Sequence, residues 1–508
     1  MRLADVLNAP INTASRLRAA LIDSARSERT VVLALVAYAL LWAVYGTIAK
    51  SSQGLHPDMT ELVAWSRDLS WGYLKHPPLA AALVWAWFAV FPFGEFGYYL
   101  LAMTMPALAL WFAWRLSADY LEPEKRVAGL ALLMLVPFFN FHALKFNVNT
   151  VLLPVWAMTT FWFLRSVRTR SLSYAALAGF GAALCMLGKY WSVFLLAGLI
   201  VAALIDKRRA AYFRSPAPWI TVAVGAIAMA PHLYWLWQSD FAPFTYAMTI
   251  HGEKPLIGTI VAALGYLLGS LGYVALPVIL VLAAARPNRA ALADMIWPAD
   301  TERRLAAAAF WAPFLLPALG AVASGAEITS LWSMASWTLL TVLLLSSPLV
   351  TWREIDTNRV VLMAVALPLA LLLASPVIAI VTRPSDAPAV NGQARLLATE
   401  VERVWRAATP QRLGFVGGDG DILLGVVAFA ADKPRAMLPD LPAPGADELK
   451  RRGMVLMCFS GEAGCLRAAA LQAGTAPSRT IQTDITQTVW GKVMLARRYT
   501  MSVVPPRL

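Results

Sequence analysis

The stretch GYLKHPPLAAALVWAWF, residues 72–88, sets a lysine, a histidine and two prolines in front of an apolar, tryptophan-rich run. The run is short for a bilayer span, which needs about 20 apolar residues. It also opens on proline, a favoured first residue of a helix. It therefore reads as a helix along a membrane surface, with Trp85 and Trp87 at headgroup depth.

The rest of the chain supplies the membrane. Of 508 residues 59% are hydrophobic and 14% charged, and the mean hydropathy is +0.60, beyond any ordinary soluble domain. Apolar runs recur at about 30–49, 97–117, 127–146, 150–165, 172–188, 190–206, 216–237, 256–285, 305–323, 328–350 and 360–382, about eleven spans in all. The fold class expected is an all-α polytopic membrane protein with interfacial helices in its first outer loop and a small C-terminal α/β domain. A β-barrel is excluded, because its strands would alternate polar and apolar residues.

Charge fixes the orientation. Among the loops between spans, alternate ones, from Arg115, Lys125 and Arg126 through Arg165, Arg168, Lys207 and Arg208 to Arg353 and Arg359, hold most of the basic residues. The others hold only Lys50, Arg67, Lys75, Lys145, Lys189 and Lys254. This is the positive-inside pattern, so residues 1–29 form a cytoplasmic tail and the net charge of +13 is an orientation signal rather than a mark of nucleic-acid binding. The tail carries five arginines and reads as an amphipathic surface helix, not a signal peptide. The membrane domain is expected over 30–382, with an outer loop at 50–96, and a periplasmic domain over 383–508. In the latter, RLGFVG, GMVLMCF and GKVMLARRYTMSVV are strand-like, and helices are expected at 420–431 and 463–472. Cys458 and Cys465 fall in this oxidising compartment, either as a disulfide or as two buried thiols. GFVGGDGDILLG, near Gly417, reads as a tight turn before a helix rather than a nucleotide loop.

Ionisable groups near a bilayer are costly unless paired or functional. The first outer loop collects Asp58 and Glu61, three apart on one helical turn, together with Lys75 and His76. Carboxylates there could take a proton from a hydroxyl, and the basic pair could hold a phosphate. The plainer alternative is that Asp58 caps a helix, Glu61 supports the cap and Lys75 snorkels. Other outer segments add Lys145, Asn147 and Asn149, then Lys189, then His251, Glu253 and Lys254. Together they suggest a site for an anionic ligand. His76, His251 and Glu253 are the metal-ligand candidates, but no spacing demands a metal.

The loop HPDMTELVAWSRDLSWGYLKHPPLAAALVWAWFAVFPFG resembles the first outer loop of the bacterial branch of glycosyltransferase family 39, related to protein O-mannosyltransferases. It also resembles the lipid A aminoarabinose transferase and the rhizobial galacturonosyltransferases. The shared marks are an acid opening the loop, Gly72 and Tyr73, and a basic residue before Pro77, Pro78 and Leu79. The resemblance covers roughly residues 30–255, and the remainder in architecture only. It implies a GT-C fold and a bacterial inner-membrane enzyme. Such an enzyme moves a sugar from a polyprenyl-phosphate carrier to an envelope acceptor, lipid A or lipopolysaccharide core, with protein hydroxyls as the other acceptor class. Asp58 matches the catalytic acid; Glu61 is displaced from the adjacent acid of many members. Lys75 or His76 would meet the donor phosphate, and Lys189 matches a second phosphate lysine. Lys145, Asn147, Asn149, His251 and Glu253 would face sugar or acceptor. Many members have an aspartate where this chain has Asn147 or Asn149, and an asparagine cannot be a base. No cofactor is required in this scheme, with a divalent metal as the alternative. A transporter or lipid flippase is the competing class, but it should place its charges at mid-membrane on broken helices. A scaffold without chemistry would tolerate Asp58→Asn.

Overall fold

A proline decides where one of the apolar runs stops, while α-helical runs elsewhere carry prolines inside them. The computed structural model describes residues 3–252, 255–382 and 389–507. Its first helices are α1 (Leu3–Ile22), α2 (Ser27–Ala49), α3 (Pro57–Ser66), α4 (Leu79–Val90), α5 (Glu95–Ser117), α6 (Pro123–Met134) and α7 (Val148–Thr169). There follow α8 (Leu172–Gly188), α9 (Val193–Ile205), α10 (Arg209–Phe213), α11 (Ala217–Gln238), α12 (Ala242–His251), α13 (Leu256–Tyr273) and α14 (Ala275–Ala285). Then come α15 (Arg289–Ile296), α16 (Thr301–Ser324), a 3-10 helix at Ser330–Leu339, α17 (Leu340–Leu345) and α18 (Glu354–Val381).

Among the described residues seven helices, α2, α5, α7, α11, α13, α16 and α18, are long and apolar enough to cross a membrane. The other expected spans fall on shorter or broken helices. The expected 127–146 span is interrupted: Pro137 holds Val136 extended, at φ −72° and ψ 126°, so α6 ends at Met134 and a 3-10 turn follows. The 256–285 run splits at Val274 into α13 and α14. The 150–165 run, short on paper, is a 22-residue helix.

The chain divides into two compact units. One runs through Trp42, takes up Lys75–Leu79 and continues over Ala102–Leu371; the other comprises Ala43–Leu74, Ala80–Leu101 and the chain from Leu372 onward. In the first, small residues let backbones approach. A Cβ on Gly179 of α8 would strike the Thr221 carbonyl of α11, and one on Gly198 of α9 would strike Pro313 of α16. The basic loops are drawn to one end by ion pairs. Asp119 pairs with Arg165 at 2.8 Å and Arg168 at 2.9 Å, Glu302 with Arg168 at 2.8 Å and Arg208 at 2.5 Å, and Arg303 with Asp294 at 2.7 Å. Arg18 of α1 reaches Glu124 at 2.7 Å and also Glu354.

The second unit adds α19 (Ala394–Ala408), β1 (Phe415–Gly418), α20 (Gly420–Phe429), β2 (Arg435–Ala436), α21 (Ala446–Arg452), β3 (Met454–Phe459), α22 (Ala463–Ala473), β4 (Arg479–Val489) and β5 (Lys492–Val504). Its five strands lie in the order β2-β1-β3-β5-β4. β1 is parallel to β2 and β3, while β5 runs antiparallel to β3 and β4. The three expected strands and both expected helices are present. Phe415, Met454 and Leu456 form part of the core beneath α22. Cys458 and Cys465 are joined by a disulfide that ties the end of β3 to the start of α22. Gln393 donates to the carbonyls of Ile485, at 2.8 Å, and Leu495, at 3.1 Å, across the β4–β5 hairpin.

Candidate active site

In the second unit, α3 carries the acidic pair. The helix starts in the sequence His56-Pro57-Asp58, and the cap is His56: its Nδ1 accepts from the Asp58 N–H at 3.2 Å, with Pro57 in the first turn. The expected alternative, Asp58 as the cap, is thereby replaced. Asp58 lies in the first turn, its side chain 38% exposed and Oδ1 3.3 Å from His56 Nδ1. Glu61 follows one turn later on the same helix.

What holds α3 is the C-terminal part of the same unit. Trp65 Nε1 donates to Asp440 Oδ2 at 3.1 Å and the indole stacks on Tyr73 at 4.7 Å. Arg67 donates to the carbonyls of Pro434, at 3.0 Å, and Ala428, at 3.3 Å, and Arg435 pairs with Asp68. Burial pulls the Arg67 guanidinium down to about 10 and pushes the Tyr73 phenol up to about 12. From α5, the Tyr98 hydroxyl donates to the Met59 carbonyl at 2.7 Å. The α4 helix forms where expected. Its Trp85 is exposed, whereas Trp87 Nε1 donates to the Gly97 carbonyl at 3.0 Å.

In the first unit, α8 ends at Gly188 and Lys189 turns to extended backbone, φ −165° and ψ 136°, before a 3-10 turn at Tyr190–Ser192. The ammonium is positioned from two sides. Lys189 Nζ donates to Asn149 Oδ1 at 2.9 Å and lies 4.4 Å from the centre of the Trp332 ring. A Cβ on Gly188 would meet Leu152 and, at 3.8 Å, Leu79. The Lys75–Leu79 segment thus docks beside the Lys189 turn, and both are half-buried at their basic residues.

The asparagines divide their labour. Asn147 caps α7, accepting from the N–H groups of Asn149 at 3.0 Å and Thr150 at 3.3 Å, so its visible work is structural. Asn149 holds Lys189. Thr150 Oγ1 donates to the Lys145 carbonyl at 2.8 Å, bracing the turn that carries Lys145. His251 ends α12, and Glu253 and Lys254 lie outside the described residues. Among the described residues no three His, Cys, Asp or Glu side chains gather as a metal site.

Three contributors were not read from the sequence: His56, Trp332, and the pair of Tyr190 with buried His232, 3.0 Å apart. His56 had a local signal, since it precedes proline and an acid at a helix start. Trp332 had none, for it is 143 positions from Lys189.

Comparison with known proteins bears on this geometry. Residues 75–235, which include the KHPPL segment, Asn149 and Lys189, match the family described as dolichyl-phosphate-mannose-protein mannosyltransferase. The crystal structure of ArnT from Cupriavidus metallidurans bound to undecaprenyl phosphate superposes with a TM-score of 0.58, covering 93% of this chain and 97% of that one at 13% identity. The chain has the GT-C fold seen in ArnT. This GT-C chain is also 29% identical over 228 residues to the lipopolysaccharide core galacturonosyltransferase RgtB of Rhizobium johnstonii, and 25% identical over 179 residues to the lipid A galacturonosyltransferase RgtD of the same organism. These matches span 45% and 37% of the relatives' lengths, less than half of each.

Proposed function

We propose that this chain is a polyprenyl-phosphate-dependent glycosyltransferase. It would act at the periplasmic face of a bacterial inner membrane on lipid A or the lipopolysaccharide core. The observation that carries the reading is Lys189, held by Asn149 and Trp332 beside the docked Lys75–Leu79 segment. A rigid cation at the end of an apolar helix suits the phosphate of a membrane-borne carrier. The RgtB and RgtD matches support the acceptor class, and they make a galacturonosyl donor the first to test. The ArnT likeness supports a carrier of the undecaprenyl phosphate kind.

In the proposed step an acceptor hydroxyl oxygen attacks the anomeric carbon, the bond from that carbon to the phosphate oxygen breaks, and polyprenyl phosphate leaves with the electron pair. Asp58 takes the hydroxyl proton, and Glu61 lies on the same helix to orient the acceptor or steady the developing positive charge. Lys189 with Lys75 or His76 neutralises the leaving phosphate, so no cofactor enters the scheme. A single base with in-line attack inverts the anomeric centre. The test is transfer in proteoliposomes holding the purified protein, polyprenyl-phosphate galacturonic acid and lipid A, with the product's anomeric configuration read by NMR. Inverted product from wild type, and at least about a hundredfold less of it from Asp58→Asn, is expected; a retained configuration contradicts the single-base step.

A further inference from the structure

At the end of the first unit where the ion pairs gather, α14 and α18 leave a cavity of about 410 Å³ between them. Its polar rim is Arg286, Trp352, Arg353, Asp356 and Arg359, and its wall includes Leu280 and Met363. Three arginines and one carboxylate line it. Asp356, only 3% exposed, takes two bonds from Arg353, at 2.8 and 3.1 Å, and has Arg359 at 3.6 Å. The two arginines nonetheless remain 61% and 65% exposed. Arg286 has no ion pair among the described residues and ends α14 in left-handed backbone, φ 45°. Trp352 is fixed at the rim by its Nε1, which donates to Thr357 Oγ1 at 3.0 Å.

We propose that this pocket binds the phosphate of an anionic phospholipid in the leaflet at the basic end of the helices. Guanidiniums present planar, paired donors that match a phosphate diester. Asp356 orients Arg353 and leaves a net surplus of two positive charges. The apolar wall argues for a lipid over a free ion. Leu280 and Met363 continue the cavity along α14 and α18, whose Leu276, Ile279 and Leu369 are exposed for acyl chains. Basic pockets between spans on the cytoplasmic side are a general setting for anionic headgroups. This pocket shares no residue with the proposed transfer site.

The test is native mass spectrometry of the full-length protein in detergent, titrated with phosphatidylglycerol, with phosphatidylcholine of the same acyl chains, and with inorganic phosphate as competitor. The variant is Arg286→Asn with Arg359→Gln. It keeps Arg353 on the buried Asp356, and asparagine tolerates left-handed backbone. Wild type should retain phosphatidylglycerol over phosphatidylcholine, and the variant should lose about tenfold to thirtyfold of that affinity. Arg170→Asn, at another left-handed helix end away from the pocket, should lose none. Equal retention of the two lipids by wild type overturns the proposal without recourse to any variant. So does equal retention by variant and wild type, or displacement of the lipid by millimolar phosphate, which would make this a site for a free anion.

Discussion

His56 changes what Asp58 is able to do. An aspartate that caps a helix spends an oxygen on backbone N–H groups; here the imidazole does that work and the carboxylate is not the cap. Asp58→Asn keeps the shape of the side chain and removes its basicity. It should lower kcat by about 10²–10⁴-fold, the span usual for a general base, with thermal stability near that of wild type. Lys189 acts on the other reacting group. Lys189→Gln should raise the donor KM about tenfold or more. Asn149→Ala should move KM in the same direction by less, since it removes one 2.9 Å bond to the ammonium and leaves the charge. Donor KM values for separate alanine changes at Lys75 and His76 identify which of the two meets the phosphate. Such roles were legible only in part. The spacing of acids and bases marked the loop as unusual, but which carboxylate caps and which amide holds a lysine depends on backbone geometry that no spacing encodes.

The helix α3 is short, ten residues, and would not persist alone in water. Its stability comes from Trp65, Arg67 and Asp68, all bonded to the segment from Ala428 to Asp440. Arg67→Ala leaves two carbonyls without their donor, at a cost of about 1–3 kcal/mol each where water cannot replace it. The second unit should melt earlier, and kcat should fall although Arg67 touches no reacting atom. Thermal melts beside steady-state kinetics check this: an unchanged kcat would separate the latch from catalysis. Elsewhere in the same unit, Glu400 accepts from Arg403, at 2.7 Å, and from Thr483 of β4 at 3.2 Å. The Arg403 bond, followed in weight by burial, which opposes it, and by the Thr483 bond, holds this carboxyl below its ordinary value. A lowered carboxyl stabilises the fold above its unfolded value, about 4.5, and that contribution fades as pH drops through the folded value. Removing it, as in Glu400→Gln, should therefore flatten the acid limb of the melting curve below about pH 4.5. At this scale the apolar helices and three strands could be read from periodicity. The β4 strand could not: RTIQTDITQTV is dominated by Thr, Gln and Asp, and only its last residues turn inward. The break at Pro137 was visible in hindsight, yet the flanking apolar residues read straight through it.

For the molecule as a whole, the basic residues that set orientation in the sequence are the ones that tie α1, α7, α16 and the connecting loops together. Orientation and packing thus draw on the same side chains, while the membrane class itself was legible in the recurring apolar runs. The outer loop was harder. Its first part joins the C-terminal domain in one compact unit while Lys75–Leu79 belongs with the helices, a division made by contacts hundreds of residues apart in the chain. The Cys458–Cys465 bridge closes a loop of about eight residues, for which the chain-entropy model gives about 2–3 kcal/mol. The Cys458→Ser, Cys465→Ser double variant should lower the melting temperature of that unit, while buried Cys185 stays unlabelled by thiol reagents until unfolding. The central claim concerns what reaches the envelope. Mass spectrometry of lipid A and core from a deletion strain, complemented by wild type or by Asp58→Asn, measures it directly. A missing sugar residue restored by wild type and not by Asp58→Asn is the expected result. An unchanged glycolipid profile in the deletion strain contradicts the acceptor, and restoration by Asp58→Asn contradicts the catalytic role of that carboxylate.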